Sequence, residues 1–404
     1  MTSTSPKTAA IALLNYCRAN DWAGFDPYDA LNSRIYLALP FLHSRWPQVI
    51  LTQALKRSPV NIRPLLAIPK TQNPKAMGLF AESLIKLSRV GAAAEKEALQ
   101  VAQRTLELRS PGTAHCAWGY SFPWQTRTIM VPRGAPNLVC TTFVANSLLS
   151  VYEALGGEQY LQAAVSAASY ITDELFWTEG DVASFSYPRP GEKTLVHNAN
   201  LLAAAFLCRI ARHAPKDKYV DVALKAARFS VSRQRDDGSW LYGDWRTQEW
   251  IDNFHTGYNL CALRDLGTYT NSAEFQDCLQ RGYRFYVDHF IREDGAAKYF
   301  HDRTYPIDAH CVAQTIITLV ELSELDPRSL TLAHRAYRWA MDHMWNEKGY
   351  FYYRVLPFCT IRTSYMRWSQ AWMLLALATM AEREGLSAVK ERTPQKSESS
   401  EISV

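Results

Sequence analysis

The chain has 404 residues, with 44 Lys+Arg against 39 Asp+Glu for a formal charge of +5, and it is 48% hydrophobic. Gly 18, Pro 19 and Cys 8 exclude collagen-like, disordered and small disulfide-scaffold classes. So mild a charge, with both signs spread along the chain, gives no argument for a nucleic-acid partner. What stands out is the aromatic content, Trp 12 and Tyr 21, which suits an aromatic-lined cleft.

Met1 to Arg18 carries Lys7 and a short apolar stretch, Ala9 to Leu14. This reads as an amphipathic helix over 7–18 rather than a signal peptide. No run of about 18 apolar residues is evident, so no spanning helix is expected. The eight cysteines are scattered without a CxxC. A reducing, cytoplasmic setting is therefore expected. His115-Cys116 and His310-Cys311 are adjacent pairs, not ligand spacings, so neither a metal nor another cofactor is expected.

Next comes a polar and aromatic cluster, Asp21 to Asp29, in which Asp26 and Asp29 bracket Pro27-Tyr28. Asp29 also reads as the N-cap of a short helix over 30–38, with another over 46–56. From residue 73 the helical period dominates. Helices are predicted over 73–90, 92–110, 136–156, 158–177, 195–214, 217–235, 251–267, 272–291, 307–325, 327–345 and 365–384. From residue 388 the chain turns polar and Ser/Glu/Lys-rich, the composition of a disordered tail after a single domain over 1–387.

These helices repeat. One starts near each of residues 136, 195, 251, 307 and 365, at steps of 59, 56, 56 and 58 residues. Each step adds a second helix and a glycine turn, at Gly180, Gly238, Gly295 and Gly349. Aromatics follow most of these turns, as expected of short β-hairpins. The first helix of each unit is apolar all round, as in Leu201 to Leu207, and the second carries a charged stripe. An inner and an outer ring follow. Adding the 73–90/92–110 pair, and pairing 365–384 with the N-terminal helix, predicts an all-α, six-hairpin (α/α)6 toroid. An open α-solenoid is the alternative, but it needs dissimilar caps at its ends.

Polar residues gather where the inner helices begin, each group at the same phase of its repeat. They are Asn137 and Thr141-Thr142; His197, Asn198 and Asn200; Asp252, Asn253, His255 and Asn259; Asp308, His310 and Gln314; and Tyr365, Arg367 and Gln370. Converging on one axis, they predict a polar-floored funnel into which free helix N-termini point, favouring an anionic ligand. The segment His115 to Arg127 supplies aromatic platforms in Trp118, Tyr120 and Trp124, with Gln125 and Arg127 as polar grips for a sugar; Trp240 and Asp26 join the binding set.

Two chemistries fit. Asp252 and Asp308, at matching phases, would form the carboxylate pair of a glycoside hydrolase. Alternatively, His255 and His310, with Tyr258 or Tyr365, would move a proton beside a uronate carboxylate neutralised by Arg367, as in an epimerase or lyase.

The run Trp118-Gly119-Tyr120, Phe122-Pro123-Trp124-Gln125 and Arg127, with Pro136 to Val139, Phe25 to Asp29 and Asn73-Pro74-Lys75, resembles bacterial proteins encoded among exopolysaccharide and capsule biosynthesis genes. The resemblance reaches to about residue 385. It implies a six-hairpin fold and a link to polysaccharide metabolism, but no particular reaction; together with the anion-favouring funnel, the expected partners are an acidic oligosaccharide or polysaccharide intermediate and the polysaccharide-biosynthesis machinery. Related six-hairpin folds are those of unsaturated glucuronyl hydrolases, polysaccharide lyases and N-acylglucosamine 2-epimerases. Gln234 to Trp240 is similar to the Gln-x3-Gly-x-Trp repeat of squalene and terpene cyclases, but it occurs once and the Asp-x-Asp-Asp motif is missing. The leading expectation is proton-transfer chemistry on an acidic glycan. Hydrolysis, non-catalytic glycan binding and, last, terpenoid cyclisation are the alternatives.

Overall fold

The computed structural model describes residues 4–126 and 129–392. Its helices are α1 (Pro6–Ala19), α2 (Arg34–Leu37), α3 (Arg45–Arg57), α4 (Pro74–Arg89), α5 (Glu95–Glu107), α6 (Leu138–Leu155), α7 (Glu158–Tyr170), α8 (His197–Ile210), α9 (Asp217–Val231), α10 (Asn253–Thr270), α11 (Gln276–Phe290), α12 (Ala309–Glu321), α13 (Ser329–Met344) and α14 (Trp372–Arg392). In the order α4, α6, α8, α10, α12, α14, each even-numbered helix packs on the next, and α14 returns to α4. Outside them α5, α7, α9, α11 and α13 each pair with the preceding inner helix, and α1 pairs with α14. This is a closed (α/α)6 toroid.

Composition explains the two rings. Along α8 nearly every side chain from His197 to Ile210 is buried, whereas α9 buries only one stripe, with Tyr219, Val222, Ala223, Ala226 and Ala227 turned inward. Alanines on that stripe let the outer helix approach closely. Each fully buried aliphatic or aromatic side chain contributes about 1.5–3 kcal/mol. Glycine turns fasten neighbouring outer helices together. Gly349, at φ 83°, lies so close to α1 that a Cβ would fall 2.8 Å from the Ala12 carbonyl oxygen. Gly238 approaches the Arg281 carbonyl of α11 in the same way, at 2.5 Å.

Several local expectations are corrected. Asp29 does not cap a helix over 30–38; a 3-10 turn (Asp29–Asn32) and the single turn of α2 stand there, and the Asp29 carboxylate turns inward to Arg63 at 2.7 Å. The helix predicted from 365 opens with a π-helical turn, Met366–Ala371, and α14 runs to Arg392, beyond the expected boundary at 387. The remainder of the predicted tail, 393–404, lies outside the described residues. Two of the four expected hairpins form ladders, Phe176–Glu179 with Val182–Phe185 and Trp345–Asn346 with Tyr350–Phe351. At Gly238 and Gly295 no ladder forms, the latter turn being closed by the single Ile291–Ala297 bridge. One helix, α6, is long and apolar enough to cross a membrane, contrary to expectation, with mean hydropathy 1.4. It belongs to the inner ring, where 67% of it is buried.

Candidate active site

A cavity of about 650 Å³ opens at the end of the ring where the inner helices begin. Lys75, Val139, Asn198, Asp252, Phe254, His255, Tyr258, His310 and Arg367-Trp368 reach it from the starts of all six inner helices. Tyr120, Phe122, Trp124, Tyr187, Tyr242, Trp250, Tyr299 and Phe300 come from loops, and Tyr28, Lys56 and Arg57 from the segment before α4. Among the described residues five basic side chains line it (Lys56, Arg57, Lys75, Arg303 and Arg367) against one carboxylate, Asp252.

At the start of α10, Asp252 is the N-cap, and its Oδ1 accepts the His255 backbone N–H at 3.1 Å. Its Oδ2 meets the His255 imidazole Nδ1 at 2.7 Å and accepts the Trp250 indole N–H at 2.8 Å. Trp250 in turn stacks on Tyr242, centroids 4.5 Å apart. The carboxylate thus orients His255 and leaves its Nε2 with no hydrogen-bond partner among the described residues. The His255 side chain is 22% exposed, within the cavity wall.

At the start of α12, Asp308 is also an N-cap, accepting the His310 N–H at 2.9 Å. Its second oxygen takes both Arg354 Nε and Nη2, at 3.0 and 2.7 Å, and Oδ1 takes the Trp368 indole N–H at 2.8 Å. His310 lies between Phe254 (4.4 Å) and Trp372 (4.5 Å), nearly parallel to both rings. Its Nε2 is 2.6 Å from the Tyr258 hydroxyl. Burial, then the charges of Lys75, Arg367 and His255, push its pKa well below that of a free imidazole, so the ring is neutral at pH 7. Burial likewise holds the Tyr258 phenol protonated. The pair can pass one proton between oxygen and Nε2. Both imidazoles pack against Phe254, the His255 ring centroid 4.1 Å from it.

Arg367 is gripped by both oxygens of Asp26, at 2.7 and 2.8 Å, and stands over the rings of Tyr120, Phe122 and Trp368. Lys75 has no such partner. Only 3% exposed, it sits against the faces of Phe143 (4.0 Å), Trp372 (5.2 Å) and Tyr258 (5.5 Å), and it forms no ion pair among the described residues. Burial first, and the nearby Arg367 second, drive its pKa well below the usual lysine value.

Of the candidates from sequence, His255, His310, Asp252, Arg367, Tyr120, Trp124 and Asn198 share this cavity. Asn198 brings a buried carbonyl oxygen with no partner among the described residues. The others stand elsewhere. Asp308 is wholly buried beneath Trp368 and Arg354, so it forms no carboxylate pair with Asp252. Tyr365 is buried with the Arg63 guanidinium 4.7 Å above its ring. Trp118 is in the core, its indole N–H given to the Thr105 carbonyl. His197 is held by Asp244 and Ser230, and Asn200 by Ser184, Phe185 and Ser230. Trp240 donates to the Ser230 carbonyl and packs on Gly282, while Gln234 ties Gly238 to Cys278. The cyclase-like segment is thus a brace between α9 and α11. Gln125 turns to the Thr126 carbonyl and does not line the cavity. Asp26 serves Arg367 instead of the cavity, and Arg127 lies outside the described residues. Nor are the helix N-termini free: Asn73, Asn137, Asp252 and Asp308 cap four of them.

Sequence reasoning missed Lys75, Tyr28, Lys56 and Trp250. The first has a visible signal, a lysine behind an Asn-Pro cap in the opening turn of a helix whose next residues, Ala76 to Ala81, are all apolar or glycine. No group of three or more His, Cys, Asp or Glu suited to a metal occurs among the described residues.

No protein-family model matches the chain, and no curated protein sequence matches it. Solved structures do. An unsaturated glucuronyl hydrolase specific for heparin superposes with TM-score 0.61 at 13% identity, over 94% of this chain and 96% of that one. Cellobiose 2-epimerase from Bacillus thermoamylovorans gives 0.59 at 13% identity, over 77% and 90%. A GH76 alpha-mannanase of Bacteroides thetaiotaomicron gives 0.58 at 13%, over 78% and 87%. At such identities the likeness shows the fold.

Proposed function

We propose that this protein is a carbohydrate-converting enzyme that moves a proton on an acidic sugar, as an epimerase or a lyase does. The observation that carries this reading is the placement of two differently supported imidazoles, His255 on Asp252 and His310 on Tyr258, both against the Phe254 ring in one cavity. The structural neighbours, which include a cellobiose 2-epimerase and an unsaturated glucuronyl hydrolase, support a sugar as substrate. The aromatic walls suit sugar faces, and Lys56 and Arg57, which line the cavity with no ion pair among the described residues, suit a carboxylate.

In this mechanism Nε2 of His255 takes the proton from the carbon beside the carboxylate. Asp252 stabilises the imidazolium that forms. The Tyr258 hydroxyl, oriented by its hydrogen bond to the neutral His310 Nε2, delivers a proton, to the opposite face of that carbon in an epimerase or to the departing oxygen in a lyase, and the phenolate left behind takes a proton back from solvent. Lys75, buried without an ion-pair partner among the described residues, gains a proton as it meets the substrate carboxylate and the charge that builds on it. Arg367 is displaced from the neutralising role expected of it, since Asp26 already compensates its charge. Hydrolysis is less well supported: Asp252, the one carboxylate lining the cavity among the described residues, has both oxygens engaged. An intermediate of bacterial polysaccharide assembly is the substrate class this reading favours.

Proton NMR of the protein with uronic-acid oligosaccharides in heavy water tests it. Deuterium at the carbon beside the carboxylate, or a new alkene signal, is the expected result. New reducing ends without exchange would move the assignment to hydrolysis, and saturable binding without product would make the protein a glycan-binding module.

A further inference from the structure

We propose that the excursion between α1 and α4, centred on α2 and α3, docks on a membrane surface rich in anionic lipid. Seven of the twelve large apolar side chains exposed on the described surface fall within residues 35–65: Ile35, Leu37, Phe41, Trp46, Ile50, Val60 and Leu65. Phe41 is 74% and Trp46 66% exposed. A concentration of this kind on one short excursion marks an interaction surface.

The excursion has an inside and an outside. Its inside is a small core of Ala30, Leu55 and Ile68, separate from the core of the rings. Buried Tyr36 of α2 accepts a hydrogen bond from Gln48 of α3 at 2.8 Å, so the inner faces of the two helices meet. On α3 the buried positions Gln48, Thr52 and Leu55 form one stripe. Trp46, Ile50, Ala54 and Arg57, at helical spacing, form the opposite one and are exposed.

Charge selects the occupant. Residues 30–81 hold no Asp or Glu and seven Lys or Arg. Arg34, Arg45, Arg57 and Lys70 are exposed, and the Arg45 guanidinium lies 5.3 Å from the Trp46 ring. A helix face of Trp and Ile flanked by arginines is the pattern that settles at a headgroup boundary, with anionic lipid supplying the counter-charge. A second copy of this chain fits worse: a two-fold contact sets the patch on itself and brings like charges together. The placement has a purpose compatible with any reaction at the cavity. Arg57 lines the cavity and Trp46 lies about 15 Å away along the same helix. Docking therefore sets the cavity mouth beside the lipid surface, within reach of a substrate carried on a lipid.

The test is sedimentation of the full chain with vesicles of phosphatidylcholine alone, or of equal parts phosphatidylcholine and phosphatidylglycerol. We expect binding to the mixed vesicles, little to phosphatidylcholine alone, and release at high salt. The W46E/I50E double variant should lose at least tenfold in partitioning while keeping its circular dichroism and its solution activity on soluble substrate. A wild-type chain that stays in the supernatant with mixed vesicles overturns the proposal. So does equal binding by the variant, or a wild-type dimer in light scattering that the variant abolishes in the absence of any vesicle binding.

Discussion

The starts of α10 and α12 use one device for two ends. Each begins with an aspartate that caps the helix, a histidine within the next three residues and an indole N–H on the carboxylate. At α10 the second oxygen of Asp252 is spent on an imidazole that is open to the cavity; at α12 the equivalent oxygen of Asp308 is spent on the guanidinium of Arg354. The first carboxylate tunes a reactive group, and the second holds loop and ring together. Identical phase in a repeat therefore assigns position, and the partner of the second oxygen assigns role.

Four measurements bear on that contrast. Under the proposed reaction, His255→Ala should cost about 100- to 10,000-fold in turnover with an unchanged denaturation midpoint; retained turnover would remove α10 from the chemistry. Asp308→Ala leaves the Arg354 charge buried without its partner and should cost about 3–5 kcal/mol in urea unfolding, whereas Asp252→Asn should act mainly on rate. Equal stability losses in the two would erase the distinction.

Lys75→Met should weaken an acidic sugar about tenfold, roughly 1.4 kcal/mol, and leave its neutral analogue untouched in calorimetry. In the wild type a bound carboxylate raises the depressed Lys75 pKa, so binding takes up a proton. Affinity should accordingly fall as pH rises between the lowered and the restored value. The smallest effect concerns His310. Its folded pKa lies below the unfolded value of about 6.5. Above that pH it contributes no slope. Below it the unfolded chain binds a proton that the folded one refuses, and stability should drop by about 1 kcal/mol per pH unit. His310→Gln should flatten that limb of the unfolding profile.

The rings were legible because burial repeats: an apolar helix every 56 to 59 residues has few other solutions. The cavity was legible only where a helix start carries one inward position, as at His255 and His310. Trp118, Trp240, His197 and Asn200 are of the same residue types, yet they turn into the seams between helices, where their N–H and C=O partners lie. Nothing in one-dimensional phase separates those two directions. Lys75 escaped because a lysine ordinarily reads as solvated, and Lys56 and Tyr28 because their segment stands outside the repeat.

The Asp26–Arg367 ion pair joins positions 341 residues apart. On a ribosome these arrive many seconds apart, at roughly 5–20 residues per second. Throughout that interval Asp26 waits without its guanidinium, Trp368 has not been made, and α4 has no α14 to lean on. The cavity is consequently among the last parts of the molecule to come into being. A nascent chain bears its first five inner helices without any chemistry to show for them, and only when α14 has followed Arg367 can the ring shut and the site exist.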